Sequence, residues 1–85
     1  MGASAAERHE RAIEQYVRVL MRHARQSEAL ASELGRAADH WGDANDRARA
    51  NAVLGLVRHH RLKALLWRSQ AAALVGYELP DNEDA

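Results

Sequence analysis

Cysteine and phenylalanine are absent from the 85 residues of this chain, which also has a single proline. Without cysteine, neither disulfide bonds nor thiolate metal sites can form, and a reducing, cytoplasmic location is the simpler interpretation. No apolar run approaches the roughly 20 residues that span a bilayer, and the N-terminal segment has no apolar signal core. These absences predict one small cytoplasmic domain that does not contact membranes.

The net charge is zero, but the charges are distributed unevenly along the chain. Residues 43–77 carry six basic and two acidic side chains, whereas residues 78–85 carry four acidic side chains and no basic one. The segment before Asp43 carries six of each sign. A basic second half followed by an acidic tail is therefore the main electrostatic feature.

The first half of the chain has the pattern of one long amphipathic helix. Ser4 and Glu7 have the spacing of a capping box, in which each side chain accepts a hydrogen bond from the other residue's backbone. From Ile13 to Trp41 the apolar residues recur every three or four positions, which makes one continuous helical stripe. We predict helix 1 from about residue 5 to residue 40.

The second half predicts another helix that returns along the first. Gly42 suits the left-handed residue that ends helix 1, and Asp43 suits the N-cap of helix 2. Gly76 is placed as the left-handed residue after helix 2, and Pro80 prevents continuation. We therefore predict a turn at 41–43 and helix 2 from about residue 44 to residue 75. Residues 4–77 would form an all-α, antiparallel helical hairpin, flanked by a disordered N-terminus (1–3) and a disordered acidic tail (78–85).

Helix 2 has more apolar surface than helix 1 can cover. Val53, Val57, Ala64, Ala71 and Val75 fall on one line of a helical wheel and can pack on helix 1. Other apolar residues point away from that line, and a second copy would cover them by forming an antiparallel four-helix bundle of two hairpins. A different protein partner would also serve. The candidate interface residues are Leu54, Leu62, Leu65, Leu66, Ala73, Tyr77, Trp41 and Trp67.

Two glycines, Gly35 and Gly55, interrupt the predicted helices. Glycine in a helix interior costs about 1 kcal/mol relative to alanine, so we expect a backbone or a bulky side chain to approach closely at both positions.

Histidine is the residue type that could serve in acid–base or metal chemistry. In an antiparallel hairpin, His23 and His60 would lie level with each other and could meet near Ser27 as a buried polar layer that fixes the register. Partial exposure and a metal site are the alternatives. Because no carboxylate stands at ligand spacing, we expect no metal and no cofactor.

Four arginines lie along one side of helix 2 and could contact phosphate groups or an acidic partner: Arg47, Arg58, Arg61 and Arg68. The chain has no glycine-rich phosphate loop, no helix-turn-helix of normal proportions and no RNA-binding motif. Leu54 and Leu65 lie within the same stripe, which suits a protein interface equally well. No combination of serine, histidine and aspartate has catalytic spacing, and we do not expect an enzyme.

Two short motifs give a partial resemblance to a known family. Trp41 and Gly42 lie at the predicted turn, and Tyr77 and Asp81 have Tyr-x-x-x-Asp spacing after helix 2. The chain thereby resembles the WXG100 helical hairpins, small type VII secretion substrates with Trp-x-Gly at the turn, although the Trp and Gly here are adjacent. The resemblance implies a hairpin that is exported.

Three functional hypotheses follow from these patterns. The first is a non-enzymatic protein–protein interaction or regulatory module that acts as a dimer or tetramer of hairpins. The second is a nucleic-acid-binding regulator that uses the basic face of helix 2. The third is a secreted hairpin of the WXG100 type.

Overall fold

The computed structural model describes residue 2 and residues 4–78 of the chain. Two helices make up almost all of this part: α1 spans Ala5–Asp43 and α2 spans Arg47–Glu78. Helix α2 returns along α1 and packs against it. The predicted all-α helical hairpin is therefore confirmed. The expectations for residues 1 and 3 and for residues 79–85 lie outside the described residues.

The start of α1 is fixed by its first turn. The Glu7 amide donates to the Ser4 hydroxyl at 3.1 Å, and the Ser4 amide donates to Glu7 Oε1 at 2.8 Å. This reciprocal pair satisfies two of the amides that a helix N-terminus leaves without an internal partner. The predicted capping box is confirmed.

The turn lies three residues later than predicted. Gly42 and Asp43 belong to the last turn of α1, and the residue in the left-handed region is Asn45, with φ 63°. The Asn45 amide donates to the Gly42 carbonyl at 3.0 Å and the Asp46 amide to the Trp41 carbonyl at 2.8 Å. This is the Schellman arrangement, in which asparagine can replace the usual glycine.

Asp46, and not Asp43, caps the second helix. The Arg49 amide donates to Asp46 Oδ1 at 3.0 Å, and the Ala50 amide donates to the Asp46 carbonyl at 3.0 Å. Asp46 therefore closes one helix with its amide and opens the next with its side chain. The prediction of a turn at 41–43 was wrong because it gave the glycine more weight than the Asn45–Asp46 pair.

The end of α2 also lies later than predicted. The helix runs through Gly76 to Glu78, and none of the glycines in the described part of the chain has a positive φ. Gly76 is thus an ordinary helical residue. The predicted role of Pro80 in ending the helix lies outside the described residues.

The helices meet along a seam that repeats every seven residues. In α2 the buried residues are Ala50, Val57, Ala64 and Ala71. In α1 they are Leu20, Ala24, Ser27, Ala31 and Ala38, spaced alternately by three, four or seven positions. Half-buried Ile13, Val17, Leu34 and Trp41 extend the seam on α1, as do Val53, His60, Trp67 and Leu74 on α2. This is the 3.5-residue period of a coiled coil, with mostly small side chains at its centre.

Two packing predictions fail against this seam. Val75 was placed with the packing residues by a straight 3.6-residue wheel, but its side chain is 47% exposed. The seam follows the 3.5-residue period, so Leu74 takes the inward position and Val75 falls beside it. Gly35 and Gly55 were expected at close approaches, yet a Cβ atom added at either position would meet nothing within 4 Å.

Candidate interaction surfaces

Three leucines form an exposed surface on the side of α2 that faces away from α1. Leu62 is 56% exposed, Leu65 64% and Leu66 53%. They fall within one turn and a quarter of helix, so their side chains are neighbours. We call these three residues the outer leucine surface.

The other predicted interface residues are scattered around this surface. Leu54 is partly exposed nearer the turn, and Ala73 is exposed nearer the end of α2. Trp67 is half-buried at the edge of the seam, where its ring lies 5.2 Å from that of His23. The side chain of Tyr77 lies outside the described residues.

The hairpin tip holds the second tryptophan. Trp41 is half-buried, and the Arg49 guanidinium lies over its ring at 4.2 Å. The His40 ring meets the same indole edge-on at 4.8 Å. A cation above an indole is one of the stronger cation–π arrangements, so Arg49 fastens the start of α2 to the end of α1. Trp41 and Gly42, the turn motif of the WXG100 resemblance, thus lie inside α1 and not in the loop.

A shallow groove runs between the helices on one side of the seam. Its middle part is lined by Glu28, Ala31 and Ser32 of α1 and by Arg61, Ala64 and Leu65 of α2. We call this middle part the basic groove, after the Arg61 side chain in its lining. Leu65 belongs to both surfaces, since it forms the edge at which the outer leucine surface meets the groove.

An ion pair between the helices lies beside the basic groove. Arg68 donates to Glu28 through two nitrogens, at 2.9 Å from Nε to Oε2 and 2.7 Å from Nη2 to Oε1. The hydrogen bond from Arg68 lowers the pKa of the Glu28 carboxyl, and the positive charges of Arg68 and Arg25 lower it further. The same pair raises the pKa of Arg68. Sequence reasoning assigned Arg68 to an external partner, but the structure shows it engaged by Glu28.

The other predicted arginines differ from Arg68. Arg58 and Arg61 are exposed, and Arg47 lines the groove near the turn together with Asp39 and Asp43. Among the residues that the structure describes, Arg47, Arg58 and Arg61 form no ion pair. Arg25 likewise has none, and it stands close enough to Glu28 to influence its carboxyl electrostatically. Of Arg25, Arg58 and Arg61, it is Arg61 that belongs to the lining of the basic groove.

The histidines do not form the expected buried layer. Ser27 is buried in the seam at 7% exposure, but His23 is exposed and its ring packs on Trp67. The reason is register: Ala24 occupies the seam position, and His23 stands one residue before it. His60 does lie in the seam, half-buried, with its ring 5.2 Å from that of His59.

One buried polar atom of His60 makes no hydrogen bond. Its Nδ1 is buried and has no hydrogen-bond partner. Within the described residues no group of three or more histidine, cysteine, aspartate or glutamate side chains could hold a metal ion. His60 is therefore a polar interruption of an apolar seam, and a buried atom of this kind opposes folding.

Comparison with known proteins gives no assignment. No protein-family model matches the chain, and neither characterised proteins nor solved structures give a significant match. Over the part that the structure describes, neither helix combines the length and apolar character needed to cross a membrane. The outer leucine surface and the basic groove are the two candidate sites that the described residues offer.

Proposed function

We propose that this chain is a non-enzymatic protein–protein interaction module that works as a homodimer of hairpins. The outer leucine surface of one copy packs on that of another, and the two hairpins form a four-helix bundle. The observation that carries the proposal is the position of Leu62, Leu65 and Leu66, each more than half exposed on the same side of α2. A cytoplasmic location belongs to the same proposal, because a chain without cysteine suits a reducing compartment.

The shape of the hairpin supports a second copy. Its radius of gyration is 19.1 Å, against about 12 Å for a compact domain of this length. Its accessible surface is 6382 Å², whereas a compact monomer of 9.5 kDa has about 5,000 Å². The excess of about 1,300 Å² exceeds the roughly 800 Å² per partner that a standard interface buries. Forming a dimer would therefore reduce the accessible surface area of each chain to about that of a compact protein of the same mass.

The leucines alone predict a weak dimer. Fully burying a leucine contributes about 1.5–3 kcal/mol, so six half-exposed leucines contribute about 5–9 kcal/mol. Association costs about 4–15 kcal/mol in lost freedom of motion, so the six leucines offset only the lower part of that range. The net gain is then at most about 5 kcal/mol, so we expect a dissociation constant of about 0.2 mM or weaker unless neighbouring side chains add contacts.

The mass of the protein in solution tests this proposal. Sedimentation equilibrium over a wide concentration range should show a monomer–dimer equilibrium for the native sequence. Replacing Leu62, Leu65 and Leu66 by glutamine should leave helix content unchanged and shift the equilibrium to monomer. Leu30→Gln on α1 is the matched control, because this leucine is 49% exposed but lies outside the surface. A native protein that stays monomeric at every concentration would refute the dimer.

Nucleic acid is the second candidate partner, because Arg47, Arg58 and Arg61 have no ion-pair partner among the described residues. Two observations disfavour it. Arg68 is already paired with Glu28, and Asp39 and Asp43 line the groove beside Arg47. Titration with duplex DNA at two salt concentrations separates the candidates. Binding that weakens steeply with salt would support nucleic acid, and no binding at low salt would remove it.

A further inference from the structure

Positive charge surrounds the outer leucine surface. Arg58 and Arg61 lie within about one turn before Leu62, and both are exposed. Lys63 follows Leu62 directly and is half-buried. None of these three cations forms an ion pair within the part of the chain that the structure describes. Helix α2 has no acidic residue before Glu78, so its own sequence supplies no carboxylate near the leucines to balance the charge.

The cations occupy both sides of the leucines. Because successive residues turn by about 100° around a helix, Arg61 and Lys63 lie about 100° to either side of Leu62. Arg58 falls on the same side as Arg61, about 40° from Leu62. Each long edge of the outer leucine surface therefore carries positive charge. We call them the arginine edge, with Arg58 and Arg61, and the lysine edge, with Lys63.

Pairing this surface with that of a second copy brings like charges together. If the two α2 helices run antiparallel about a two-fold axis, the arginine edges of both copies lie on one side of the interface and the lysine edges on the other. If they run parallel, the arginine edge of one copy lies beside the lysine edge of the other. In both cases each side of the interface receives cations from both molecules.

The repulsion between these cations opposes the dimer at low salt. Packed helices lie about 8–10 Å apart, whereas charges in water interact over about 20 Å at an ionic strength of about 20 mM. The seven acidic side chains of α1 offset the repulsion only partly, because the outer leucine surface faces away from that helix. A ligand of opposite charge between the two copies would remove the repulsion and replace it by attraction.

From this arrangement we propose that the dimer binds a multivalent anion of the phosphate type at the side of its interface, between cations of both copies. Guanidinium groups suit such a ligand, because their paired N–H donors match two phosphate oxygens. The inference rests on the dimer proposed above and adds its ligand. One copy supplies only part of the site, so the anion binds the dimer in preference to the monomer and shifts the equilibrium towards the dimer.

Salt tests the repulsion, with sedimentation equilibrium as the measurement. Between about 20 and about 500 mM NaCl the dissociation constant of the native dimer should fall about tenfold, because the screening length shortens to about 4 Å. The neutralised variant Arg58→Gln/Arg61→Gln/Lys63→Gln should dimerise about tenfold more tightly than the native protein at the lower salt concentration. It should change little at the higher one. Circular dichroism checks that its helix content is that of the native protein.

A matched control removes the same amount of charge elsewhere. Arg11, Arg18 and Arg22 are exposed on α1, away from the outer leucine surface. The control Arg11→Gln/Arg18→Gln/Arg22→Gln should therefore keep the salt dependence of the native dimer.

Inorganic triphosphate tests the bound anion. The ionic strength is held constant with NaCl, so that screening is the same with and without triphosphate. At about ten times its own dissociation constant, triphosphate should tighten the native dimer about tenfold and leave the neutralised variant unchanged. Equilibrium dialysis should find triphosphate bound to the native protein in proportion to the fraction of dimer.

The possible failures are distinguishable. A native dimer that salt weakens or leaves unchanged would overturn the repulsion between the edges. A dimer that triphosphate tightens no more than NaCl of equal ionic strength would overturn the bound anion and leave the dimer intact. Triphosphate bound equally well by the monomer would overturn a site shared between copies. A native protein that stays monomeric at every concentration of salt and triphosphate would overturn both the anion site and the dimer.

Discussion

The two helices share one seam but differ in everything outside it. Helix α1, with 39 residues, exposes two large hydrophobic side chains, Tyr16 and Leu30. Helix α2, with 32 residues, exposes six, which are Leu54, Leu56, Leu62, Leu65, Leu66 and Val75. Charge differs as well, because α1 carries six basic and seven acidic side chains and α2 carries six basic and one acidic. Each helix contributes one narrow row of residues to the seam. The additional exposed hydrophobic side chains and the positive charge of α2 are therefore not needed to form the hairpin.

The largest effect should come from breaking the seam on α2. Ala64 is 3% exposed, and Ala64→Asp would bury a charge with no partner, which costs about 3–5 kcal/mol. We expect thermal unfolding, followed by circular dichroism, to show a hairpin that is largely unfolded at room temperature. Ser69→Asp places the same residue on an exposed position of the same helix and should unfold close to the native temperature. Equal losses in the two variants would mean that the seam is not the stabilising part of α2.

The glycines allow both helices to be strengthened in the same way. A Cβ atom meets nothing within 4 Å at Gly35 in α1 or at Gly55 in α2, and neither residue has a positive φ. Alanine at each position should therefore raise the free energy of unfolding by about 1 kcal/mol, because the unfolded chain loses freedom and the helix gains propensity. Urea unfolding of the two single variants and of the double variant measures the gain. A variant that is no more stable than the native protein would contradict an open, helical environment at its position.

The seam of α2 has a polar interruption that substitution can remove. Leucine at position 60 would replace the buried, unpaired Nδ1 of His60 by an apolar group, so His60→Leu should stabilise the hairpin by about 1 kcal/mol. Neighbouring His59 is exposed, and His59→Leu should give no comparable gain. If both substitutions stabilise equally, the benefit belongs to leucine in general and not to the seam.

The smallest effect concerns the ion pair that links the helices. The pKa of Glu28 in the folded state is below its ordinary value of 4.5, mainly because Arg68 donates to the carboxylate. The stabilisation from this pair is therefore fully present above pH 4.5 and is lost as the pH falls through the lower, folded-state pKa. Glu28→Gln should remove this part of the acid dependence of the unfolding temperature while changing stability little at neutral pH, because both side chains are substantially exposed. Glu33→Gln, which removes an ion pair within α1 to Arg36, is the control for a contact that does not join the helices.

The helices themselves could be predicted because their signals are local. The Ser4–Glu7 box and the apolar period both act within a few residues, and the same period turned Leu62 and Leu66 away from α1, where the structure has both exposed. The turn was misplaced because Gly42 is the stronger statistical signal, whereas the structure uses Asn45 in the left-handed region. Gly42 and Asn45 can both end a helix, and local sequence preference does not decide between them. The packing of Trp41 in the seam does, because it favours helix through that residue.

The contacts between helices were harder to predict because they depend on the register. Glu28 and Arg68 each stand directly after a seam position, Ser27 and Trp67, and in an antiparallel pair such positions face each other. Applying the 3.5-residue period to both helices would have revealed this pair and would have excluded His23 from the seam. A helical wheel drawn for one straight helix cannot reveal such a pair, because the angular position that it gives a residue departs further from the seam with each turn away from the chosen origin.

The regular seam of α2 has a consequence for the stability of the alignment itself. Small residues at positions 50, 57, 64 and 71 look nearly the same after one helix slides by seven residues, which is about 10 Å. This row of the seam therefore opposes sliding only weakly, whereas the seam residues Val53, His60, Trp67 and Leu74 differ in size and oppose it more. Sliding is also prevented by the three-residue connection at 44–46, which is too short to accommodate a further 10 Å, together with the pair formed by Glu28 and Arg68. Lengthening that connection with flexible residues would allow one helix to slide along the other, so the shortest segment of the chain holds its two longest segments in place.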